Sequence, residues 1–327
     1  MRSLNSKLTT VVLFISLVAL AFFHQTYDFR NDNPGQEILI SIPDGATGVE
    51  IGKNLETNGV IKSSKYFVDF YLSNERARGI APGVHKVSTH ISTRLAVSQL
   101  LDQKRISNSI TVKEGSTLSD VLKLLKENSH IDYSKLDLKK LRIPLANRLN
   151  SIEGQLFPAI YSFESGTSVN SALQGMLNKF KEISIHEYMK YSAYDVLKVA
   201  SLIQVEGDAA DYDKVARVIY NRLAINMPLQ LNSSVQYAAG LRGRIALSNE
   251  ATKINSPYNT YKNLGLPPTP ISNPSALAIS AALNPKVGDW LYFITVKPGD
   301  TRFTKDFKEF QTWNTLYNNN LANGLFK

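Results

Sequence analysis

The sequence predicts an α+β protein that begins with a membrane helix, continues through small strand-helix modules and ends in an α+β domain. Three observations carry this. An uncharged apolar run opens the chain ahead of a polar linker; a strand-turn-helix pattern occurs twice, seventy residues apart; and capped amphipathic helices fill the second half.

The apolar run, "LTTVVLFISLVALAFF" from Leu8 to Phe23, follows Arg2 and Lys7. Sixteen residues lie near the lower limit of roughly 17 to 25 for a spanning helix. Ala19-Leu20-Ala21 could also serve as the cleavage signal of a secretory leader, so an anchor and a signal peptide both stand, with the anchor favoured because apolar residues continue past that signal. The preceding positive charges keep the N-terminus cytoplasmic and place the remainder outside. The expected layout is an anchor over 1–24, a linker over 25–37 around Asn33-Pro34-Gly35, paired modules over 38–149 and a second domain over 150–327.

In the repeat, "ISIPDGATGVEIGKNLETNGVI" matches "ITVKEGSTLSDVLKLLKENSHI". Ile42, Asp44, Gly45, Thr47, Ile51, Leu55 and Ile61 correspond to Val112, Glu114, Gly115, Thr117, Val121, Leu125 and Ile131. Each copy reads as an alternating strand, an acidic-Gly turn, a threonine or serine cap and an amphipathic helix. Between them "GVHKVS" adds a strand and "STRLAVSQLLDQKRI" a helix. Beyond Asn150, Gly154, Phe157-Pro158 and Tyr161 suggest a hairpin, and Gly166-Thr167 leads into a helix through about Glu182.

Composition removes several kinds of chemistry. The 327 residues contain no cysteine, which excludes disulfides, zinc-thiolate sites and thiol nucleophiles. The five histidines show no metal-binding spacing and no Gly-rich phosphate loop occurs, so neither cofactor nor metal is expected. The net charge of +9 favours anionic surroundings such as a membrane surface or an acidic wall polymer. Its basic residues are dispersed without aromatic interleaving, which argues against nucleic acid.

One carboxylate is oddly placed. A helix beginning near Ser192, with Asp195 at its third position, carries Val199, Leu202 and Ile203 on one face, and Glu206 continues that face. Gly207 reads as the helix stop. Apolar surroundings and the negative end of the helix dipole both favour the protonated acid, the state that can donate to a glycosidic oxygen. A solvent-facing Glu206, or one paired with Arg222 or Lys214, is the alternative. Asp208, Asp211 and Asp213 follow, at least one of them as the cap of the helix "KVARVIYNRL", so spacing alone does not define a pair of catalytic carboxylates.

The blocks "ASLIQVEGD", "DKVARVIYNRL", "MPLQLNSSVQYA", "SPYNTYKNLGLPPTPISNPSALAISAALNP" and "WLYFITV" occur in an order that resembles the catalytic domain of the YceG-like family of endolytic murein transglycosylases. The repeat resembles that family's LysM-like region. The resemblance implies an enzyme cleaving peptidoglycan glycan strands between N-acetylmuramic acid and N-acetylglucosamine, leaving 1,6-anhydromuramic ends, with Glu206 as catalytic acid. It implies substrate contacts from Gln230, Asn232, Tyr258, Asn259 and Tyr261, whose rings and amides suit sugar faces and hydroxyls. Peptidoglycan synthases or division proteins are the protein partners it suggests. The sequence departs from the family at Gln204, where the motif has a glutamate; at Asn232, where it has an aspartate; and at Thr301 and Phe310, where histidines are usual. A noncatalytic wall-binding scaffold and a hydrolytic muramidase remain the competing readings.

Overall fold

The computed structural model describes residues 27–29, 33–241 and 251–326. The apolar segment Leu8–Phe23 lies outside these; among the described residues no helix is long and apolar enough to cross a membrane. The chain divides into two compact units. One takes the described residues up to Ile110 together with Tyr161–Thr167; the other takes Thr111–Ile160 and everything from Ser168.

The first unit contains strand β1 (Glu37–Ile42), helices α1 (Gly48–Thr57) and α2 (Ser64–Ser73), strand β2 (Gly83–Ser88), helix α3 (Thr93–Leu101) and the short strand β3 (Ile106–Ser107). β2 is central and antiparallel to both neighbours, with Ile40 opposite His85. Ile40 and Ile42 from the strand meet Ile51 and Leu55 from α1 and Phe67 from α2 in one core. The β2 and α3 segments were expected; α2 was not.

Strand β4 (Ser109–Val112) opens the second copy of the repeat and α4 (Leu118–Glu127) is its helix. The local match is close. Gly45 and Gly115 both adopt positive φ, at 72° and 77°, where a side chain is disfavoured. Thr47 with Glu50, and Thr117 with Asp120, each form a reciprocal capping box. Yet the second helix belongs by its contacts to the C-terminal compact unit, which begins at Thr111. The tie is backbone pairing: Gly115 N–H donates to Asn273 O at 2.8 Å and Asn273 N–H to Ser116 O at 2.7 Å.

The chain continues through short strands β5 (Ile131–Asp132), β6 (Ala159–Ser162) and β7 (Thr167–Ser168) to helices α5 (Val169–Lys181), α6 (Ala193–Glu206), α7 (Tyr212–Ala224), α8 (Asn232–Ala239) and α9 (Ala276–Leu283). The hairpin β8 (Tyr292–Lys297) and β9 (Asp300–Thr304) and helix α10 (Phe307–Ala322) complete it. α6 is the central helix. From Val196 to Ile203 every residue but Lys198 is buried, and Val215, Ile219, Leu229, Ala278, Ile279 and Ala282 close around it. A helix that is apolar on most sides has to be enclosed on most sides. The small side chains of α9 allow its close approach.

Candidate active site

α6 starts where expected, with Ser192 and Asp195 forming a capping box, and ends at Glu206. The stop differs in detail. Gly207 is extended, at φ −129° and ψ 162°, not left-handed. What limits its side chain is space, because a Cβ there would lie 3.1 Å from Val215 Cγ2 on α7. Among the aspartates, Asp211 holds the position before α7 without capping it, and its carboxylate pairs with Lys214 at 3.0 Å. Lys214 is thereby engaged away from Glu206.

Glu206 keeps partial exposure and borders a cleft of about 490 Å³ with Arg222, Gln230, Asn232, Tyr261, Tyr292 and Phe310. Its Oε1 accepts the Ser233 N–H at 2.9 Å. Ser233 is second in α8, whose preceding residue, Leu231, has no side-chain acceptor to cap the helix. A carboxylate from another helix fills that vacancy, so Glu206 lies at the negative end of α6 and the positive end of α8 together. Burial holds its pKa above the usual carboxylate value, opposed by the Ser233 side chain and amide and by the charge of Arg222. The geometry therefore favours a protonated acid while supplying groups that support its anion.

Arg222 fastens the site. It is 7% exposed; its Nε donates to Leu291 O and its Nη1 to Leu229 O, each at 2.6 Å, and its guanidinium carbon lies 5.3 Å from the Tyr292 ring centroid. Tyr292 in turn lies 5.2 Å from Phe310 and 5.4 Å from Phe307, both on α10. These rings make one wall of the cleft. Sequence reasoning passed over them, reading Phe310 only as the loss of a histidine.

The predicted sugar contacts separate into two groups. Gln230, Asn232 and Tyr261 line the cleft with Glu206, and the Tyr261 hydroxyl donates to Asn232 Oδ1 at 2.7 Å. Burial and the nearby Glu206 charge raise the Tyr261 pKa. Gln230 sits at φ 50°, in the left-handed region, with its N–H on Thr260 O. Tyr258 and Asn259 are not among the residues that line this cleft. Asn259 is fully buried, its amide donating to Thr252 O and Ile254 O and accepting from Tyr261 N–H. Tyr258 packs against Tyr237 at 5.0 Å and bonds Thr269 at 2.9 Å. They build the turn that lets Thr260 hold Leu231 N–H at 2.9 Å and Tyr261 face the acid.

Gln204 points elsewhere, accepting from Ser275 N–H and donating to Tyr212. Among the described residues lining the cleft, Glu206 is the one acid. No metal-capable cluster of acids and histidines occurs among the described residues.

On this α+β scaffold the cleft therefore sets a single acid against an aromatic wall. Residues 40–315 match the YceG-like family, and the chain belongs to it. It is 33% identical over 298 residues to the endolytic murein transglycosylase of Bacillus subtilis (strain 168), covering 83% of this chain and 82% of that protein. Against the endolytic murein transglycosylase of Streptococcus pneumoniae (strain ATCC BAA-255 / R6), identity is 30% over 303 residues, covering 80% of this chain and 55% of that protein. The chain thus spans just over half the length of the pneumococcal relative. A 2.6 Å crystal structure of a yceG-like protein from Listeria monocytogenes matches with a TM-score of 0.55 at 27% identity, covering 84% of this chain and 98% of that one.

Proposed function

We infer that this protein is an endolytic murein transglycosylase, a lytic enzyme that cuts within peptidoglycan glycan strands. The observation that carries the mechanism is the lone acid. Hydrolysis by the usual routes needs two carboxylates flanking the bond. An intramolecular route needs one. Protonated Glu206 donates to the glycosidic oxygen as the bond to muramic acid C1 breaks and its electron pair stays with the departing N-acetylglucosamine. The O6 hydroxyl of the same muramic acid attacks C1 and returns its proton to Glu206. The acid is restored, no water is consumed, and one new end is a 1,6-anhydromuramic residue.

The two cleft walls support this reading in different ways. Gln230, Asn232 and Tyr261 offer hydrogen bonds to hydroxyl and acetamido groups, and the aromatic wall offers stacking to apolar sugar faces. The net charge of +9 suits an acidic wall polymer. The segment Leu8–Phe23 serves as a single-pass anchor, with Arg2 and Lys7 cytoplasmic and the catalytic unit on the outer face of the cell membrane. There the strand-helix modules act as LysM-like grips on glycan, and the enzyme limits nascent strand length beside peptidoglycan synthases or division proteins.

The test is mass spectrometry of products from defined glycan strands. Fragment masses that sum to the substrate mass, with anhydro ends, are expected; fragments carrying an added water would make the enzyme a muramidase. Intact strands retained on the protein would make it a scaffold.

A further inference from the structure

Two adjacent serines in α8 have opposite circumstances. Ser234 Oγ is committed, donating to Leu231 O at 2.7 Å and sharing a hydrogen bond with Thr260 Oγ1 at 2.9 Å. Ser233 Oγ is not. It is buried, in a residue only 9% exposed, and makes no hydrogen bond of good geometry, although it lies near enough to the Glu206 carboxyl to favour its anion and its own N–H holds Glu206 Oε1. A buried hydroxyl left unpaired is costly, and native proteins retain few of them.

The position of this orphan suggests its use. It belongs to the residue already bonded to the one side chain whose charge changes during the reaction. A protonated Glu206 makes little demand for further donors. A carboxylate has about four acceptor sites and gains from each donor it finds. A serine hydroxyl reorients by rotating one bond, with no backbone movement.

We propose that Ser233 is a positioning residue for Glu206, its amide fixing the carboxyl and its hydroxyl turning onto the carboxylate once the proton has left. The proposal rests on Glu206 as the acid and base of the reaction, and it adds the group that keeps the anion available for the second half. Too little support for the anion would leave Glu206 a good donor but slow to release its proton. Too much would leave it ionised before substrate arrives. Burial pushes one way, and the two Ser233 donors and Arg222 push the other. Among the described residues, Arg222 on α7 and Tyr261 on the turn are the other charged or titratable groups facing Glu206, and the test leaves both in place.

The experiment is a carbon-13 NMR titration of the full chain labelled at glutamate side-chain carboxyls, with Glu206 assigned by the signal lost in Glu206→Gln. Ser233→Ala keeps the amide and removes the hydroxyl. The Glu206 pKa should rise by about one unit. The alkaline limb of turnover should move up equally, because the protonated acid then persists to higher pH, while kcat falls several-fold. Ser233→Thr, which keeps amide and hydroxyl, should restore all three. Ser233→Pro also deletes the N–H, at a helix position that tolerates proline, and should give the largest shift. A Glu206 titration in Ser233→Ala that overlays the wild type overturns the proposal, as does a shift that threonine fails to reverse. The titration is read without turnover, so a wild type that yields no anhydro ends would sink the functional reading separately, leaving the Ser233 result to be judged on its own.

Discussion

The two walls of the cleft are built by different rules. The wall that carries Glu206 is a closed core: Val199, Leu202, Ile203 and Val215 are fully buried, and Thr260, Ser234 and Leu231 lock the start of α8 from behind. The facing wall is a hairpin under α10, and no residue of that 16-residue helix is fully buried; Phe307 is 53% exposed. An acid needs fixed surroundings because its pKa depends on them. Stacking surfaces for sugars tolerate adjustment, and elements with little buried apolar area are the ones that adjust at low cost. Arg222 joins the two, rooted in α7 and reaching both Leu291 O and the Tyr292 face.

The largest expected effect breaks the rigid wall's chemistry without disturbing its packing. Glu206→Gln should lower anhydro-ended product by about 10²- to 10⁴-fold. Its stability should move the other way. The folded pKa of Glu206 is raised, so the stability contributed by its protonated form is complete below the unfolded pKa and is lost as pH rises through the folded one. Urea melts of wild type and variant should diverge across that window, with the glutamine protein the more stable at neutral pH. A wild type that is more stable there would mean that the anion is the preferred resting form.

Arg222→Ala should separate the walls. It leaves the carbonyls of Leu229 and Leu291 without their donor and should cost on the order of 3 kcal/mol by chemical denaturation, with most activity lost. Lysine should rescue little, because a single ammonium cannot span two carbonyls and also stack on Tyr292. Full recovery in Arg222→Lys would reduce the residue to a point charge beside Glu206.

Phe310→Ala acts on the adaptable wall alone. KM on glycan strands should rise about three- to tenfold with kcat nearly kept, and stability should fall by less than about 1.5 kcal/mol. A collapse of kcat at unchanged KM would place the ring in the chemistry and end the distinction between the walls.

What the sequence made legible follows the same division. The start of α6, both capping boxes and the placement of Glu206 on an apolar face are local patterns, set within a few residues, and all were readable. Ser233 was not, because its value depends on where α8 docks, which no spacing in the chain records. Tyr258 and Asn259 were ambiguous for a chemical reason: rings and amides that suit a sugar also suit a tight turn, and the burial of Asn259 is visible only in the fold. Gly207 was recognised as a stop, but the constraint on it is the approach of Val215.

The smallest effect sharpens the single-acid reading. Gln204 lies two residues before Glu206 where the family motif has a glutamate, and two carboxylates so close in sequence invite a paired mechanism. Its surroundings favour a different role. Gln204 Oε1 accepts from Ser275 N–H at 2.8 Å and Nε2 meets Tyr212 Oη at 2.9 Å, so the side chain ties α6 to the start of α9 and to α7. A glutamate could keep both links, one oxygen accepting the Ser275 amide and the other the Tyr212 hydroxyl, with its charge at the favourable end of α9. Gln204→Glu should therefore leave turnover within about twofold and the melting temperature within about 3 °C, since about 0.5 kcal/mol is the scale of such an exchange. A tenfold gain in rate would mean that a second carboxylate takes part, and the one-acid mechanism would fall.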